Sequence, residues 1–271
     1  MKLVYFGTPA IAVPPLRALV AAGHDVDLVI TGADVRRGRG TSTSPSPVKE
    51  AATGLGLKVS HDPDDVLNSD AVLGVVVAYG RILQPHLLAH VPMVNLHFSL
   101  LPRWRGAAPV ERAILAGDET TGVCVMAVEE GLDTGGVYAR AETPVAQKTL
   151  FELWDELSAV GSELLVEWLE QAFVDGRLVD PDPQVGEVTY AAKLTSEERR
   201  LDPSATADEQ LAVVRLGNAW TMVGDKRLKV LTAGVNDGRL VPVDVQPEGK
   251  RPMSFDAWRH GTPSAQRGMF A

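Results

Sequence analysis

Short runs rich in β-branched residues alternate with helical patterns through the first half of the chain. This alternation is typical of a parallel sheet that is covered by helices on both faces. Residues 72–78 support it, since a strand buried on both faces is apolar almost continuously. We therefore predict an α/β fold with a Rossmann-like, mostly parallel sheet. The predicted strands are residues 3–6, 26–30, 71–78 and 93–97, and the predicted helices are residues 14–22, 48–54, 82–90 and 110–116.

A long amphipathic helix is predicted next. Thr149 and Glu152 form a capping-box pattern, and apolar residues follow at helical spacing. The helix is predicted to end near Gly176, because the proline-rich residues 180–183 cannot continue a regular element. Two domains are therefore expected: residues 1–188, of which 176–188 form a linker, and a short β-rich C-terminal domain of residues 189–271. In the latter we predict a helix at 207–216 and strands at 220–223, 227–231 and 240–245.

The formal net charge of −9 argues against non-specific coating of nucleic acid, because that affinity comes from neutralising phosphates. Basic residues are clustered locally, although a single cluster of this kind is more often a solvated surface than a binding site. The clusters are Arg36, Arg37 and Arg39; Arg103, Arg105 and Arg112; and Lys226, Arg227 and Lys229.

Cys124 is the single cysteine, so an internal disulfide cannot form. It lies in an apolar run and is predicted to be a buried core thiol rather than a nucleophile. Neither a signal-peptide pattern near Met1 nor an apolar run of membrane-spanning length is present. A cytoplasmic location without membrane association is therefore expected.

The first predicted strand is followed by Gly7-Thr8-Pro9. This turn lacks the G-x-G-x-x-G spacing that brings backbone amides to a pyrophosphate, which argues against NAD and FAD. A P-loop pattern is also absent, so the sequence gives no support to an ATP-driven reaction.

Residues 95–106 carry the most chemical information, and they read Asn-Leu-His-Phe-Ser-Leu-Leu-Pro-Arg-Trp-Arg-Gly. This segment leaves a predicted strand at the carboxyl edge of the sheet, where ligands bind in open α/β folds. Side chains alternate along a strand, so Asn95 and His97 are predicted to point from the same face. The pair suits acyl transfer, because the amide can donate to an oxyanion while the imidazole exchanges protons or stabilises the same oxygen as a cation.

An acidic, glycine-rich turn at residues 129–136 follows the apolar run at residues 121–128, which is predicted to be the next strand. Its Asp133 carboxylate can orient and charge His97. Each residue also has a purely structural interpretation. A lone His on an apolar strand is more often structural, an Asn near a strand end often satisfies backbone groups, and an Asp-x-Gly turn is usually only a turn. The combination of all three favours a chemical site.

These motifs resemble those of the formyltransferases that use 10-formyltetrahydrofolate. The similarity rests on Asn-x-His-x-Ser-Leu-Leu-Pro at 95–102, Arg-Gly-Ala-Ala-Pro at 105–109 and Gly-Leu-Asp-Thr-Gly at 131–135. Stretches at 7–14, 38–49, 77–80 and 189–193 are similar to the members that formylate methionyl-tRNA. The resemblance covers most of residues 1–200 and implies the formyltransferase fold.

The resemblance implies a role for each matching residue. Asn95, His97 and Asp133 match the family's catalytic residues. The residues that match its folate-binding segments are Ser99, Leu100, Leu101, Pro102, Ala78, Tyr79, Gly80, Glu130, Gly131 and Leu132. Arg36, Arg37 and Arg39 lie in the loop that matches the family's tRNA-binding insertion. The implied co-substrate is 10-formyltetrahydrofolate, the implied partner is initiator methionyl-tRNA, no metal is needed, and the chain is expected to act as a monomer.

The acceptor is less clearly indicated than the donor. The part after Lys193 is shorter than the family's second domain, residues 216–220 lack its usual proline, and Phe98 is bulkier than the residue usual there. An N-formyltransferase acting on an amino-sugar nucleotide with the same folate donor is therefore the main alternative. The others are a hydrolase that releases formate from the folate, and a non-catalytic folate- or RNA-binding protein.

Overall fold

The computed structural model describes residues 1–36, 43–263 and 268–270. The chain forms two compact units, each assembled from separate stretches of sequence. The first unit contains Met1–Pro109, Thr121–Pro144 and Trp154–Ala191, and the second contains Val110–Thr120, Val145–Leu153 and Ala192–Ala271.

The regular elements follow in chain order. Up to Ala191, the strands are β1 (Lys2–Gly7), β2 (Asp25–Ile30), β3 (Val35–Arg36), β4 (Thr43–Ser44), β5 (Val59–Ser60), β6 (Leu73–Val77), β7 (Met93–His97), β8 (Arg105–Gly106), β9 (Thr120–Ala127), β10 (Val137–Pro144), β11 (Phe173–Val174), β12 (Arg177–Leu178) and β13 (Tyr190–Ala191). After it come β14 (Ala219–Val223), β15 (Lys226–Asn236), β16 (Arg239–Pro247) and β17 (Met253–Ser254). The α-helices are α1 (Val13–Ala21), α2 (Pro47–Gly54), α3 (Pro85–His90), α4 (Pro109–Leu115), α5 (Leu150–Leu169), α6 (Ala207–Arg215) and α7 (Phe255–His260).

A seven-stranded sheet with the order β10-β9-β7-β6-β1-β2-β5 forms the centre of the first unit. Five neighbouring strands, β7, β6, β1, β2 and β5, run parallel to one another, whereas β9 runs antiparallel to β7. The predicted mostly parallel α/β fold is confirmed. β10 was not predicted from the sequence, because its alternating polar residues lack the continuous apolar pattern of the inner strands.

Apolar side chains fix the centre of this sheet. Every residue of β6 is buried, and Phe6, Ile30 and Met93 from neighbouring strands pack into one cluster with Val76. Each large apolar side chain contributes about 1.5–3 kcal/mol when it leaves water. The inner strands are therefore held firmly, and this fixes the positions of the residues at their carboxyl ends.

The helix predicted at residues 82–90 begins later, at Pro85. Gln84 precedes the proline and has an extended backbone with ψ of 150°, as expected for the residue before a proline. Pro85 itself suits the first helical position, because its missing N–H is not needed there. Ile82 consequently lies outside the helix and is 84% exposed.

The long helix α5 ends at Leu169, not near Gly176. The following residues form a small hairpin in which β11 pairs antiparallel with β12. Asp175 and Gly176 connect the strands with φ values of 51° and 77°. An Asp-Gly pair with positive φ at both residues is the favoured two-residue hairpin turn, and it explains why the helix prediction ran too far.

The second unit contains a four-stranded sheet of order β14-β15-β16-β17, whose paired strands are antiparallel. Leu228, Val230 and Val245 from this sheet pack with Val214 of α6 and Trp258 of α7 in a core of its own. A small β-rich C-terminal region was predicted, and this sheet confirms it.

Candidate active site

Asn95 and His97 lie at the carboxyl end of β7, between β9 and β6 of the sheet. Val76 of β6 pairs with Asn95 in parallel register, so the loop after β6 emerges beside Asn95. His97 pairs with Cys124 of the antiparallel neighbour β9. Because β7 has strands on both sides, its backbone cannot easily shift, and the directions of the two polar side chains are fixed by the sheet.

Asp133 approaches these residues from the turn between β9 and β10. One carboxylate oxygen, Oδ2, accepts a 2.7 Å hydrogen bond from the Gly106 backbone N–H and lies 3.7 Å from His97 Nδ1. The other, Oδ1, lies 3.5 Å from Asn95 Nδ2. The His97 and Asp133 side chains are only 6% and 13% exposed. The structure thus brings the three predicted residues together around one carboxylate.

The second imidazole nitrogen of His97 contacts the backbone. Nε2 lies 2.9 Å from the backbone oxygen of Trp104, and a carbonyl only accepts, so Nε2 donates in this contact. Nδ1 faces the Asp133 carboxylate at 3.7 Å. The nearly buried imidazole is therefore held between a carbonyl and a carboxylate.

The turn that carries Asp133 packs tightly against the end of β9. Asp133 has a φ of 51°, in the left-handed region. A Cβ added to Gly135 would lie 2.0 Å from the backbone oxygen of Ala127, at the end of β9. Only glycine permits this approach of two backbone segments.

Gln184 contacts the same turn and was not predicted from the sequence. Its side-chain Nε2 donates to the backbone oxygens of Asp133, at 2.8 Å, and Gly135, at 2.7 Å. Its Oε1 accepts from Arg105 Nε and Nη2, at 3.0 and 2.7 Å. A glutamine among prolines in an expected linker gave no sign of these contacts, because it lies 51 residues from Asp133.

The predicted folate-binding segment Ser99–Pro102 follows β7 directly. The Ser99 hydroxyl donates a 2.6 Å hydrogen bond to the backbone oxygen of Arg103. Leu101 is buried in a cluster with Cys124 and the β9 and β10 residues Met126 and Val137. Its side chain therefore anchors the segment, and Pro102 is buried too, whereas Leu100 is partly exposed.

Cys124 is a free, buried thiol, as predicted. Burial raises its pKa, so the group remains a neutral thiol near neutral pH. It serves as part of the packing under the segment after β7.

The two other predicted folate-binding loops border the site. Ala78 and Gly80 have positive φ values of 46° and 77°, which makes a tight turn after β6. Tyr79 between them is buried, and its backbone oxygen accepts a hydrogen bond from the Thr8 hydroxyl. On the Asp133 turn, Glu130 and Gly131 are exposed and Leu132 is 63% exposed.

The basic clusters have different environments. Arg36 lies in β3 and pairs through its backbone with Thr43 of β4, while Arg37 and Arg39 lie outside the described residues. The second cluster is engaged within the chain: Arg105 binds Gln184, and Arg112 forms a 2.7 Å ion pair with Glu198. In the third, the Arg227 guanidinium lies 3.9 Å from the centre of the Trp220 ring, and Lys229 donates to Asn218.

Two cavities of about 460 Å³ each are lined by residues of the second unit only. Neither cavity is lined by Asn95, His97 or Asp133, so the candidate site is defined by the way these three side chains converge. Across the part of the chain that the structure describes, no group of three or more His, Cys, Asp or Glu side chains is placed to hold a metal ion. Among the same residues, no helix is both long and apolar enough to cross a bilayer.

Comparisons with known protein sequences indicate the family to which the chain belongs. The profile described as formyl transferase matches residues 1–169. The methionyl-tRNA formyltransferase of Ruegeria pomeroyi is 42% identical, with 90% of this chain and 85% of that protein covered. The methionyl-tRNA formyltransferase of Dinoroseobacter shibae is 45% identical, with 88% and 84% covered.

Solved structures share the fold at lower identity. HypX from Aquifex aeolicus in complex with tetrahydrofolic acid superimposes with a TM-score of 0.69 at 16% identity, covering 95% of this chain but 46% of HypX. Methionyl-tRNA formyltransferase from Clostridium thermocellum gives a TM-score of 0.62 at 15% identity, with 91% and 98% covered. The chain therefore belongs to the formyl transferase family, and the similar relatives compared above are methionyl-tRNA formyltransferases.

Proposed function

We propose that the chain transfers the formyl group of 10-formyltetrahydrofolate to the α-amine of initiator methionyl-tRNA. The observation that carries this proposal is the single carboxylate of Asp133, which lies within 3.5 Å of Asn95 and 3.7 Å of His97. Relatives that are 42% and 45% identical over most of their length support methionyl-tRNA rather than an amino-sugar nucleotide as the acceptor.

Each of the three residues has a distinct task in this proposal. 10-Formyltetrahydrofolate supplies an already activated formyl group. Asn95 donates its amide N–H to the formyl oxygen as negative charge develops there, since its 3.5 Å contact with Asp133 is long enough to give way. His97 stabilises the same oxygen, with its imidazole held between the Trp104 carbonyl and Asp133. Asp133 keeps that imidazole in place and accepts the proton that the attacking amine loses. When the bond from the formyl carbon to N10 breaks, this proton passes to N10 and tetrahydrofolate leaves.

The surroundings suit a flat, partly polar donor. Leu132 is an exposed apolar side chain directly beside Asp133, and Ala78 is exposed on the loop beside Asn95. Ligand sites combine such apolar surfaces with a few placed polar groups. Ala78, Tyr79, Gly80, residues 99–102 and residues 130–132 are therefore proposed as the folate-binding surface.

The acceptor side of the proposal rests on the arginine loop. Arg36, Arg37 and Arg39 are proposed to contact the acceptor end of the tRNA, and β3 and β4 pair at the base of this loop. All three catalytic side chains come from one chain, which is compatible with a monomer. A cytoplasmic location belongs to the same proposal, because charged tRNA is used there.

One experiment tests the donor and the acceptor together. The protein is incubated with 10-formyltetrahydrofolate labelled in its formyl group and, in parallel reactions, with methionyl-tRNA, with uncharged tRNA, with amino-sugar nucleotides or with water alone. Label is expected on methionyl-tRNA only. Label on an amino sugar would replace the acceptor, free formate in every reaction would indicate a hydrolase, and unchanged folate throughout would contradict catalysis.

A further inference from the structure

Gln184 uses the whole hydrogen-bonding capacity of its side chain between two functional segments. Its two N–H groups bind the backbone oxygens of Asp133 and Gly135, and its oxygen accepts two hydrogen bonds from Arg105. A neutral amide offers two donors and two lone pairs, so no capacity is left unused. The side chain is half-buried, which makes competition from water weaker than at the surface.

The segment that carries Gln184 is itself fixed to the turn. Asp182 exchanges two backbone hydrogen bonds with Val137, at 2.7 and 3.0 Å. A Cβ on Gly136 would lie 2.8 Å from the Asp182 oxygen, so the two chains are in close contact. Gln184 therefore projects from a backbone that is already held against the first residue of β10.

The hydrogen bonds form a closed ring around Asp133. The Asp133 carboxylate accepts from the Gly106 N–H, and the Asp133 carbonyl accepts from Gln184, which is bound to the Arg105 side chain. The side chain and the backbone carbonyl of Asp133 are thus both connected by hydrogen bonds to the dipeptide Arg105–Gly106. Such a ring fixes the carboxylate in distance and in rotation relative to His97, which precedes that dipeptide on the chain.

We propose that Gln184 is a positioning residue of the formyl transfer reaction, which places the Asp133 carboxylate against Asn95 and His97. This inference rests on the proposed function. The task requires an amide of this length. A glutamate in its place would accept from Arg105 but would repel the two backbone oxygens, and a methionine would make none of the four hydrogen bonds.

The main test is Gln184→Met, which keeps the side-chain length. We expect kcat to fall by about ten- to a hundred-fold, the range for small displacements of a catalytic group. The KM values for the folate and for methionyl-tRNA should change little. Gln184→Glu should show a similar loss, and it tests the idea if the methionine variant does not fold. The matched control is Gln171→Met, at an exposed residue after α5, which should behave like the unaltered protein.

A double variant separates positioning from a general structural role. In an Asp133→Asn background, Gln184→Met should lower kcat little further, since both changes act on the same group. A full second loss in the double variant, an effect on KM alone, or unchanged kcat in both Gln184 variants would each overturn the proposal.

A readout that does not need activity keeps this inference separate from the proposed function. The imidazole ¹⁵N resonances of His97 should shift in Gln184→Met and not in Gln171→Met, because only the first change moves Asp133. If the unaltered protein formylated nothing, the proposed function would fail while these resonances still tested the position of Asp133. Identical His97 spectra in all variants would refute the role of Gln184.

Discussion

The strands on either side of β7 fix the direction of the Asn95 side chain. Its backbone pairs with Val76 and Met126 on either side, so the amide is aimed before any ligand binds. Removing one such donor typically lowers turnover by about a hundred- to a thousand-fold. We expect Asn95→Ala to show this loss in single-turnover formylation, with a smaller change in folate binding measured by titration.

The control for this prediction is Asn68→Ala, which alters an exposed asparagine at the end of a short 3₁₀ helix in the same unit. It should leave both measurements unchanged. Near-normal turnover in a folded Asn95→Ala protein would remove Asn95 from the mechanism.

Gly135 allows a test of the Asp133 turn in which none of the three candidate catalytic side chains is replaced. Its missing Cβ would stand 2.0 Å from the Ala127 oxygen, so Gly135→Ala must push the turn away from β9. Overpacking of this kind costs about 1–3 kcal/mol, and we expect a lower melting temperature together with a lower kcat. Gly54→Ala is the matched control, since its added Cβ meets no atom within 4 Å. Equal kcat values in the two variants would show that the turn tolerates displacement.

At the scale of elements, the capping box of helix α6 contains a titratable carboxylate, that of Glu209. The Glu209 carboxylate accepts from the Thr206 backbone N–H and hydroxyl, both at 2.8 Å. The backbone hydrogen bond is the largest cause of a lowered Glu209 pKa. A folded pKa below the unfolded one stabilises the protein above the unfolded pKa, and this stabilisation disappears as pH falls through the folded pKa.

We therefore expect Glu209→Gln to lower the free energy of unfolding near neutral pH. The variant should also lose less of this free energy than the unaltered protein does below about pH 4.3. Urea unfolding followed by circular dichroism at a series of pH values measures this difference. Glu163→Gln, at an exposed residue of α5, should retain the unaltered pH dependence. Parallel curves for all three proteins would contradict the capping role.

The boundaries of elements illustrate what local sequence patterns can and cannot supply. β7 was predicted at its observed limits, because an apolar run with a polar end has one plausible position in a sheet. The start of α3 and the end of α5 were misplaced, because Pro85 and the Asp175-Gly176 turn were read as part of longer helices. The domain division at residue 188 stays a prediction.

At the scale of the whole molecule, an acidic protein has to bind an acidic substrate. A net charge of −9 leaves attraction to tRNA to a few local cations. If two phosphates are neutralised, raising salt from about 50 to 200 mM weakens binding by about tenfold. We expect KM for methionyl-tRNA to rise by at least this factor in steady-state assays, while KM for the folate changes much less. Replacing Arg36 by alanine should lower the salt slope, and an unaltered slope would argue against phosphate contacts there.

The sequence alone determined the fold class, the family resemblance and the three residues of the candidate site. It could do so because strand periodicity and the carboxyl edge of a parallel sheet bring Asn95 and His97 to one place. The tertiary structure decided how Asp133 reaches them and which groups hold the site: the Trp104 carbonyl accepts from His97, while the Gly106 N–H and Gln184 donate to Asp133. These contacts join distant segments through backbone atoms and side-chain amides, which every residue or many loops possess, so no sequence pattern marks them. Only the folded chain selects which of those common groups meet.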